Sequence, residues 1–578
     1  MRRSALSAAL GRMEHRGKMV YGCTQEPRSI GTWVREHMPP QATASDKHRD
    51  AIGLGQIGFT GLDVVRTVCE FRRPLAIVWA PNQRRIGVAL LPEGVIATRL
   101  DDGLELVGHL PPIYPEWLGE RSFLHEHEVR FPYIAGEMAR GIATPAMVIA
   151  MGRAGMLGFF GAAGLSLDVV AKGIAAIHES LGGGSGSWGA NLIHSPDAPG
   201  LEDALVDLYL RCRVERVSAS AFLALTPAIV RFAATGLYLD AQQRVVRRNH
   251  LFAKVSRTEI AEQFMSPAPP PLLEALLADG KLSEAEAALA KKIPLAEDIT
   301  VEADSGGHTD NRPLSVLLPL MLHARDRIVS RHNYDRPIRI GAAGGLGAPG
   351  AVAAAFAGGA AYVMTGSVNQ IAIEAGVSTL AKSMLAKADM ADVAMAPSAD
   401  MFELGVKVQV LKKGTMFPQR ATRLYELYRR YNAIEDIPAA IRQELERDIF
   451  NQPLSDVWND TKAFFTERNP AALRRAEADA HFRMALLFRW YLGWSSRWPI
   501  SSEAERRMDF QLWCGPAIGA FNAWAAGSFL AAPENCSVVQ IALNLLEGAA
   551  TITRAQQLRA MGVDVPAAAF QFAPRPLA

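Results

Sequence analysis

Cysteine is scarce in this 578-residue chain. The five present (Cys23, Cys69, Cys212, Cys514 and Cys536) form an odd set with no CxxC pair. This excludes a disulfide scaffold, predicts no metal site and indicates a reducing compartment. Long apolar runs are also lacking, because the longest candidate, 351–366, is short and rich in Gly and Ala, and the basic N-terminus has no signal-peptide core. We therefore expect a cytoplasmic protein without a membrane segment.

A surplus of either charge sign is missing as well. Lys and Arg number 61 and Asp and Glu 59, a net charge of +2, so no global field favours nucleic acid or an anionic membrane as partner. Hydrophobic content of 49%, charged content of 21% and 48 Gly are typical of a soluble globular protein. Any charged docking surface must therefore be local.

From about residue 130 the chain repeats a β-run, a Gly-rich turn and a helical stretch, which is the pattern of a parallel sheet with crossover helices. The eight strand candidates are 131–135, 156–160, 188–193, 215–220, 251–255, 298–303, 337–342 and 361–366. Eight such units close a (β/α)₈ TIM barrel, and the alternative is an open doubly wound sheet with fewer strands.

The chain divides into four parts. We predict a small β-rich N-terminal domain over 1–125, with strands at 75–80 and 85–91, and an α/β TIM barrel over 126–370. Strand signals then stop, and 371–510 is interpreted as a helical cap inserted after strand eight; RLYELYRRYNAI (423–434) has the apolar spacing of an amphipathic helix. The rest, 511–578, contains an apolar helix at 537–552 that is expected to return to the barrel.

Active sites of such barrels lie in the loops after the carboxyl ends of the strands, where this chain has several Gly-rich turns. SGGHTDNRP (305–313) follows strand six, GAAGGLGAPG (341–350) follows strand seven and TGS (365–367) follows strand eight. A single GG turn is usually only a turn, but the set, placed at one end of the barrel, predicts a phosphate-bearing cofactor. No acidic residue follows at the distance that a Rossmann fingerprint requires, so that fold is disfavoured.

Three polar residues at this end are candidates for chemistry. His308 is the best candidate for acid/base work, the alternative being a histidine that only hydrogen-bonds its loop. Asn191, in strand three, is expected to bind a heterocycle edge. Lys254, in strand five, is expected to stabilise negative charge on a reduced cofactor, and a salt bridge to a neighbouring loop is the alternative.

Six segments together resemble the PfaD-type enoylreductases, which are trans-acting components of polyketide and polyunsaturated fatty acid synthases. The segments are AGEMARGIATP (135–145), GANLIHSP (189–196), AKVSRTEIAEQFMSPAP (253–269), VEADSGGHTDNRP (301–313), RIGAAGGLGAP (339–349) and YVMTGSVNQ (362–370). These enzymes belong to a wider group with the FMN-dependent nitronate monooxygenases and FMN-type enoyl-ACP reductases. The segment 401–431 resembles the PfaD-type subfamily specifically, and the similarity covers about residues 55–565.

The resemblance implies FMN held between the strand-one loop and the turns after strands six to eight. Its ring would rest near Ala135, Gly136, Glu137 and Met138, with Asn191 at its polar edge. Its phosphate would lie on turns that contain Gly306, Gly307, Ala343, Gly344, Gly345, Thr365, Gly366 and Ser367. His308 matches the active-site histidine of the group. Glu137 is a departure, because the group usually has Pro or Gly before the Met.

The resemblance further implies a ping-pong reaction in which NADPH reduces FMN and the flavin delivers hydride to the β-carbon of an α,β-unsaturated acyl thioester. His308, directly or through water, is then the candidate proton donor or the group that polarises the thioester carbonyl. Two alternatives stay open, a nitronate monooxygenase and a flavin-binding synthase assembly factor without catalysis. No arginine for a 2′-phosphate can be picked out to decide between NADPH and NADH.

A trans-acting reductase needs a surface for an acidic acyl carrier protein. Residues 407–430 hold seven basic side chains and one acid, Glu426. The docking prediction rests on this patch, and the alternative is a solvated helix face or an intramolecular ion network. Its proposed contacts are Lys412, Lys413, Arg420, Arg423, Arg429 and Arg430. The resemblance also makes a homodimer plausible.

Overall fold

A computed structural model describes residues 57–92, 103–182, 187–195 and 200–577 of the chain. The expectations for the basic N-terminal segment and Cys23 lie outside these residues. No helix in the described ranges is long and apolar enough to span a membrane.

Eight parallel strands close into a barrel, which confirms the predicted fold. The strands are Tyr133–Ala135, Leu157–Phe160, Gly189–Ile193, Arg216–Ser220, His250–Val255, Asp298–Glu302, Arg339–Ala343 and Val363–Thr365. Every predicted strand is present, within about two residues at each end. The closing pair joins strands one and eight, with Ile134 opposite Met364.

Helices on the outside of the barrel connect successive strands. They are Pro145–Arg153, Leu167–Leu181, Leu201–Arg211, Pro227–Ala234, Thr258–Met265, Pro270–Ala278, Glu284–Ala290, Leu314–His332 and Pro349–Ala357. Aromatic and aliphatic side chains fill the barrel interior, among them Phe159, Phe252 and Met364. The helix Arg121–His127 closes the amino-terminal end, where Phe123 stacks on Tyr362 with ring centroids 4.5 Å apart.

The segment after strand eight corrects the prediction of an all-helical cap. Strands Val393–Pro397 and Lys407–Leu411 pair antiparallel, and the second also pairs with the short strand Gly307–His308 after barrel strand six. The alternation in KVQVL was missed because the strand is short and its partners come from distant loops.

Helices form most of the described chain that lies before and after the barrel, up to residue 530. They are Gly61–Cys69 at the amino-terminal end and, after strand eight, Thr379–Leu385, Phe417–Arg430, Ala439–Leu445, Leu454–Arg468, Pro470–Ala478, Ala480–Ser495, Trp498–Ser501 and Ala517–Ala525. The predicted amphipathic helix over 423–434 corresponds to the second half of Phe417–Arg430, which ends before Tyr431, and Leu424 and Leu427 on its apolar face are buried.

The apolar C-terminal helix, Val538–Ala560, packs on the barrel helix Pro349–Ala357 as predicted. Its far end covers a three-stranded antiparallel sheet of Leu75–Ala80, Arg85–Leu90 and Glu105–Leu110, with Ala555 and Leu558 against Ile77 and its neighbours. One helix therefore attaches the N-terminal sheet to the barrel.

Candidate active site

The predicted site residues lie around the carboxyl ends of the barrel strands. Ala135 ends strand one, and Gly136 donates its N–H to the carbonyl of Thr365 at the end of strand eight, 2.9 Å away. The Met138 carbonyl accepts from the N–H of Ala143 at 3.1 Å. The first bond holds the strand-one loop against the end of strand eight, and the second closes the loop on itself.

Lys254 lies between two carboxylates. Its Nζ is 3.0 Å from Glu302 Oε1 and 3.2 Å from Glu137 Oε1. Burial would lower the pKa of Lys254, but the two carboxylates outweigh it and raise the pKa above its ordinary value. The Glu137 side chain is 3% exposed, and apart from the 3.2 Å contact with Lys254 its carboxylate has no hydrogen-bond donor among the described residues. The salt-bridge alternative for Lys254 is therefore present in the structure.

His308 is held by a pair of residues that the sequence did not indicate. Its Nε2 is 3.1 Å from Ser398 Oγ and 3.3 Å from Asp400 Oδ1, and Ser398 also donates to Asp400. Burial would lower the pKa of His308, but the hydrogen bond and charge of Asp400 raise it above its ordinary value. The imidazolium correspondingly lowers the pKa of Asp400, which outweighs the partial desolvation of this half-exposed carboxylate. The strand pairing of His308 with Val408 brings these distant residues together.

Two consecutive turns expose backbone donors at the mouth. Gly344 and Gly345 both have positive φ, 86° and 72°, which L-residues adopt only with strain. The N–H groups of Gly344, Gly345 and Gly366 have no acceptor among the described residues. A Cβ on Gly345 or Gly366 would meet no atom within 4 Å, so both face open space. Unpaired N–H groups beside open space, at the ends of two neighbouring strands, suit an anion.

Other predicted cofactor residues already have protein partners. The Thr365 hydroxyl lies 2.6 Å from the Tyr133 hydroxyl and accepts from the Asn369 amide, and Ala343 is buried. Asn191 Oδ1 accepts from the Ala163 N–H at 3.0 Å, which leaves its Nδ2 without a described partner. Their roles toward a cofactor stay predictions.

The segment 510–516 crosses the mouth of the barrel, which the sequence did not predict. Ser367 Oγ accepts from the Gly515 N–H at 3.0 Å, and Gln370 donates to the Trp513 carbonyl. A Cβ on Gly306 would lie 2.6 Å from Cys514 Cα, so Gly306 packs against this segment, whereas Gly307 faces open space. The apolar letters FQLWCG carry no turn or phosphate motif that would have indicated this position.

The basic patch over 407–430 is partly neutralised within the chain. Lys413 pairs with Asp392 at 2.9 Å, Arg423 with Glu444 at 2.5 Å, and Arg420 with Asp509. Lys412, Arg429 and Arg430 are exposed and have no acidic partner among the described residues. Half of the proposed contacts therefore form the intramolecular network that was the alternative.

The donor set fits a flavin phosphate. Three unpaired N–H groups lie at the ends of the neighbouring strands seven and eight, and open space lies beside Gly345 and Gly366. In the described part of the chain, no group of three or more His, Cys, Asp or Glu side chains could hold a metal ion.

Comparisons with known proteins place the chain. It is 46% identical over 467 residues to one of the polyunsaturated fatty acid synthase proteins of Thraustochytrium sp. (strain ATCC 26185 / S-3), covering 79% of this chain and 31% of the relative. It is 44% identical over 441 residues to the polyketide biosynthesis protein PksE of Bacillus subtilis (strain 168), covering 76% and 57%. The chain thus spans between about a third and just over half of these two relatives.

A solved structure and a family model extend this result. The enoyl reductase domain of MlnA, from the macrolactin biosynthesis cluster of Bacillus amyloliquefaciens, has a TM-score of 0.73 and 37% identity, covering 77% of this chain and 99% of that domain. Residues 431–510 match the inserted helical domain of [acyl-carrier-protein] S-malonyltransferase. By its motifs, its barrel and these relatives, the chain belongs to the PfaD-type enoylreductase family of polyketide and polyunsaturated fatty acid synthases.

Proposed function

We propose that the chain is a trans-acting enoyl reductase that uses NADPH and FMN to reduce α,β-unsaturated acyl thioesters on an acyl carrier protein. The observation that carries this proposal is the set of unpaired N–H groups of Gly344, Gly345 and Gly366 at the same mouth as His308. Family membership supports the reaction class, and these donors support a binding site for the cofactor phosphate.

The residues that would hold FMN come from both sides of the mouth. The three glycine N–H groups and the Ser367 turn would bind its phosphate, while Gly136, Met138 and the free Nδ2 of Asn191 would contact its ring. When bound, FMN would take a hydride from NADPH and pass it to the β-carbon of the enoyl thioester. The strand-one loop and the segment 510–516 would keep water from the ring.

His308 would supply the proton for the α-carbon. With Nε2 held by Asp400 and Ser398, Nδ1 is the ring nitrogen left to donate, directly or through water. The raised pKa keeps a larger share of the imidazole protonated near neutral pH. Asp400 therefore acts as a positioning residue that also sets the proton supply.

Lys254 would hold the strand-one loop. The two carboxylates that contact it give the group of three a net charge of −1, which does not favour a further anion nearby. We therefore replace the predicted role of Lys254, stabilising a reduced cofactor, with that of anchoring Glu137.

The carrier protein would approach the region after strand eight. Two features support this side: the match of residues 431–510 to a helical domain of an acyl-carrier-protein transferase, and the exposed cations Lys412, Arg429 and Arg430 without acidic partners among the described residues. Acidic carrier proteins would be steered by these charges.

Anaerobic stopped-flow absorbance tests the reaction. The FMN-loaded protein is reduced with NADPH and then mixed with a 2-enoyl thioester on a carrier protein. Flavin reoxidation together with a saturated thioester is the expected result. Flavin that stays reduced until oxygen or a nitronate is added would instead indicate a monooxygenase, and a protein that binds no flavin would refute the proposal.

The proposed docking surface for the carrier protein is tested separately. Lys412→Glu combined with Arg429→Gln and Arg430→Gln is expected to raise KM for the carrier-bound thioester while leaving flavin reduction by NADPH unchanged. Arg331→Gln, which removes an exposed charge at the end of the barrel helix Leu314–His332, is the matched control. An unchanged KM in the triple variant contradicts this docking surface.

A further inference from the structure

Three arginines near the mouth each lie over an aromatic ring. Arg140 lies in the strand-one loop, Arg468 ends the helix Leu454–Arg468, and Arg497 follows the helix Ala480–Ser495. The distances from guanidinium carbon to ring centroid are 6.0 Å for Arg140 and Trp513, 4.7 Å for Arg468 and Phe464, and 5.2 Å for Arg497 and Trp494. The rings Phe464 and Trp494 are 42% and 37% exposed, so the group opens to solvent.

The three side chains belong to one neighbourhood. The Gln511 N–H donates to the Ser495 carbonyl at 2.9 Å, which joins the segment carrying Trp513 to the helix end before Arg497. The helices Leu454–Arg468 and Ala480–Ser495 pack against each other. Burial lowers the pKa of Arg140 to about 10, with further lowering by the charges of Arg497 and Arg468. Asp400, the partner of His308, is close enough to oppose this effect.

These arginines form no ion pair in the described chain, although the charge of Asp400 acts on Arg140. None of them makes an ion pair or a side-chain hydrogen bond there, whereas neighbouring Arg483 and Arg506 pair with Glu435 and Asp509. Three like charges near a single acid, Asp400, repel each other, so such a group is typical of a site that receives an anion from outside. A guanidinium presents paired N–H donors that match phosphate oxygens, and stacking on a ring fixes its plane.

We propose that Arg140, Arg468 and Arg497 bind a phosphate group of a ligand whose reacting end lies at His308. This inference rests on the proposed function, which brings two phosphate esters to this mouth. One is the nicotinamide dinucleotide with its 2′-phosphate, and the other is the phosphopantetheine arm that carries the acyl thioester. The chemistry recognised is the same in both.

Isothermal titration calorimetry with two matched ligand pairs tests the site and identifies the source. NADP⁺ is compared with NAD⁺, and 4′-phosphopantetheine with pantetheine, on the FMN-loaded wild type and the Arg468→Gln/Arg497→Gln double variant. In one pair the wild type is expected to prefer the phosphorylated member, and the double variant to lose about tenfold of that preference. Affinity for the unphosphorylated member should not change. The ligand pair in which the double variant loses this preference identifies the ligand.

Arg331→Gln is the control, because it removes one exposed charge at the opposite end of the barrel. It should retain the full phosphate preference. Arg140→Gln alone is expected to weaken the phosphorylated ligand in the same pair. The proposed site is refuted if the double variant keeps its preference in both pairs. It is also refuted if the variant loses affinity equally for both members of a pair.

These binding measurements require no turnover. A protein that prefers the phosphorylated ligand but never forms a saturated thioester would refute the proposed function and leave the phosphate site standing. Enoyl reduction without an arginine-dependent phosphate preference would refute the phosphate site and leave the proposed function standing.

Discussion

The two ends of the barrel both carry charged residues, but they pair them differently. At the amino-terminal end, Asp298 accepts from Arg339 Nε and Nη2, both at 2.6 Å, and lies 3.0 Å from His127 Nε2. The three side chains are at most 2% exposed. At the carboxyl end, His308 is 32% exposed and Asp400 53%, and the buried Glu137 carboxylate has a lysine contact but no other hydrogen-bond donor among the described residues.

This difference indicates that the amino-terminal end of the barrel serves stability and the carboxyl end serves function. Closed pairing fixes protonation, since burial lowers the pKa of His127 and the Arg339 and His127 charges lower that of Asp298 despite its burial. Incomplete pairing leaves donors, acceptors and a titratable imidazole for ligands. Substitutions at the first end should change the free energy of unfolding, and those at the second should change binding and rate.

The largest effect is expected from Asp298→Asn. Removing the partner that hydrogen-bonds Arg339 leaves only the more distant Glu297 carboxylate, 3.9 Å away, so the free energy of unfolding should fall by about 3 to 5 kcal/mol. Urea denaturation followed by circular dichroism measures it. Asp448→Asn, which breaks the exposed pair with Arg447, is the control and should cost far less. Equal costs in the two variants would remove the distinction between the ends.

His308→Ala should act on rate and not on stability. Loss of a general acid should slow formation of the saturated thioester about a hundredfold or more, while NADPH reduces the flavin at the wild-type rate. Single-turnover stopped flow separates the two steps. If product forms at the wild-type rate, His308 has only a structural role in its loop and the assembly-factor alternative gains support.

Gly345→Ala tests whether the turn after strand seven binds the FMN phosphate. The added methyl group enters the open space and strains a residue with φ of 72°, so FMN should dissociate about tenfold more readily. Gly280→Ala is a matched control, with φ of 64° and open space around it, between two outer helices. Both should lose about 1 kcal/mol of stability from backbone strain. Flavin fluorescence titration measures FMN binding. Equal FMN affinity in the two variants would contradict a phosphate-binding role for the turn at Gly345.

Asp400→Asn should produce the smallest change. The carboxylate raises the pKa of His308 against the effect of burial, so its removal lowers that pKa. If the protonated imidazole is the donor, activity is lost as pH rises through this pKa, and the alkaline limb should move to lower pH. The rate well below that limb should stay close to wild type. A pH profile of thioester reduction with an unmoved limb would show that Asp400 does not tune His308.

Sequence reasoning succeeded where the signal is local. Each barrel strand is a short apolar run before a Gly-rich turn, and the parallel order then places Gly344, Gly366 and His308 at one end. Asp400 was missed because it lies 92 residues from His308 and meets it only through the pairing of His308 with Val408. Strand 407–411 was interpreted as part of a helical region for the same reason, since its partners are distant in sequence.

The glycines show where a motif is ambiguous. Gly306 and Gly345 both stand in GG pairs, yet one packs against Cys514 and the other faces open space. Nothing in either pair distinguishes them, because the distinction depends on a segment about 200 residues further along. The three stacked arginines were likewise hidden among 61 basic residues.

The segment 510–516 has a consequence for biosynthesis on the ribosome. It bonds to Ser367, Gln370 and, through the Leu512 carbonyl at 2.9 Å, to Leu411. All eight barrel strands have been synthesised by residue 365, about 150 residues before this segment. A nascent barrel can therefore close while its mouth is still uncovered, and cofactor capture should be completed only late in translation.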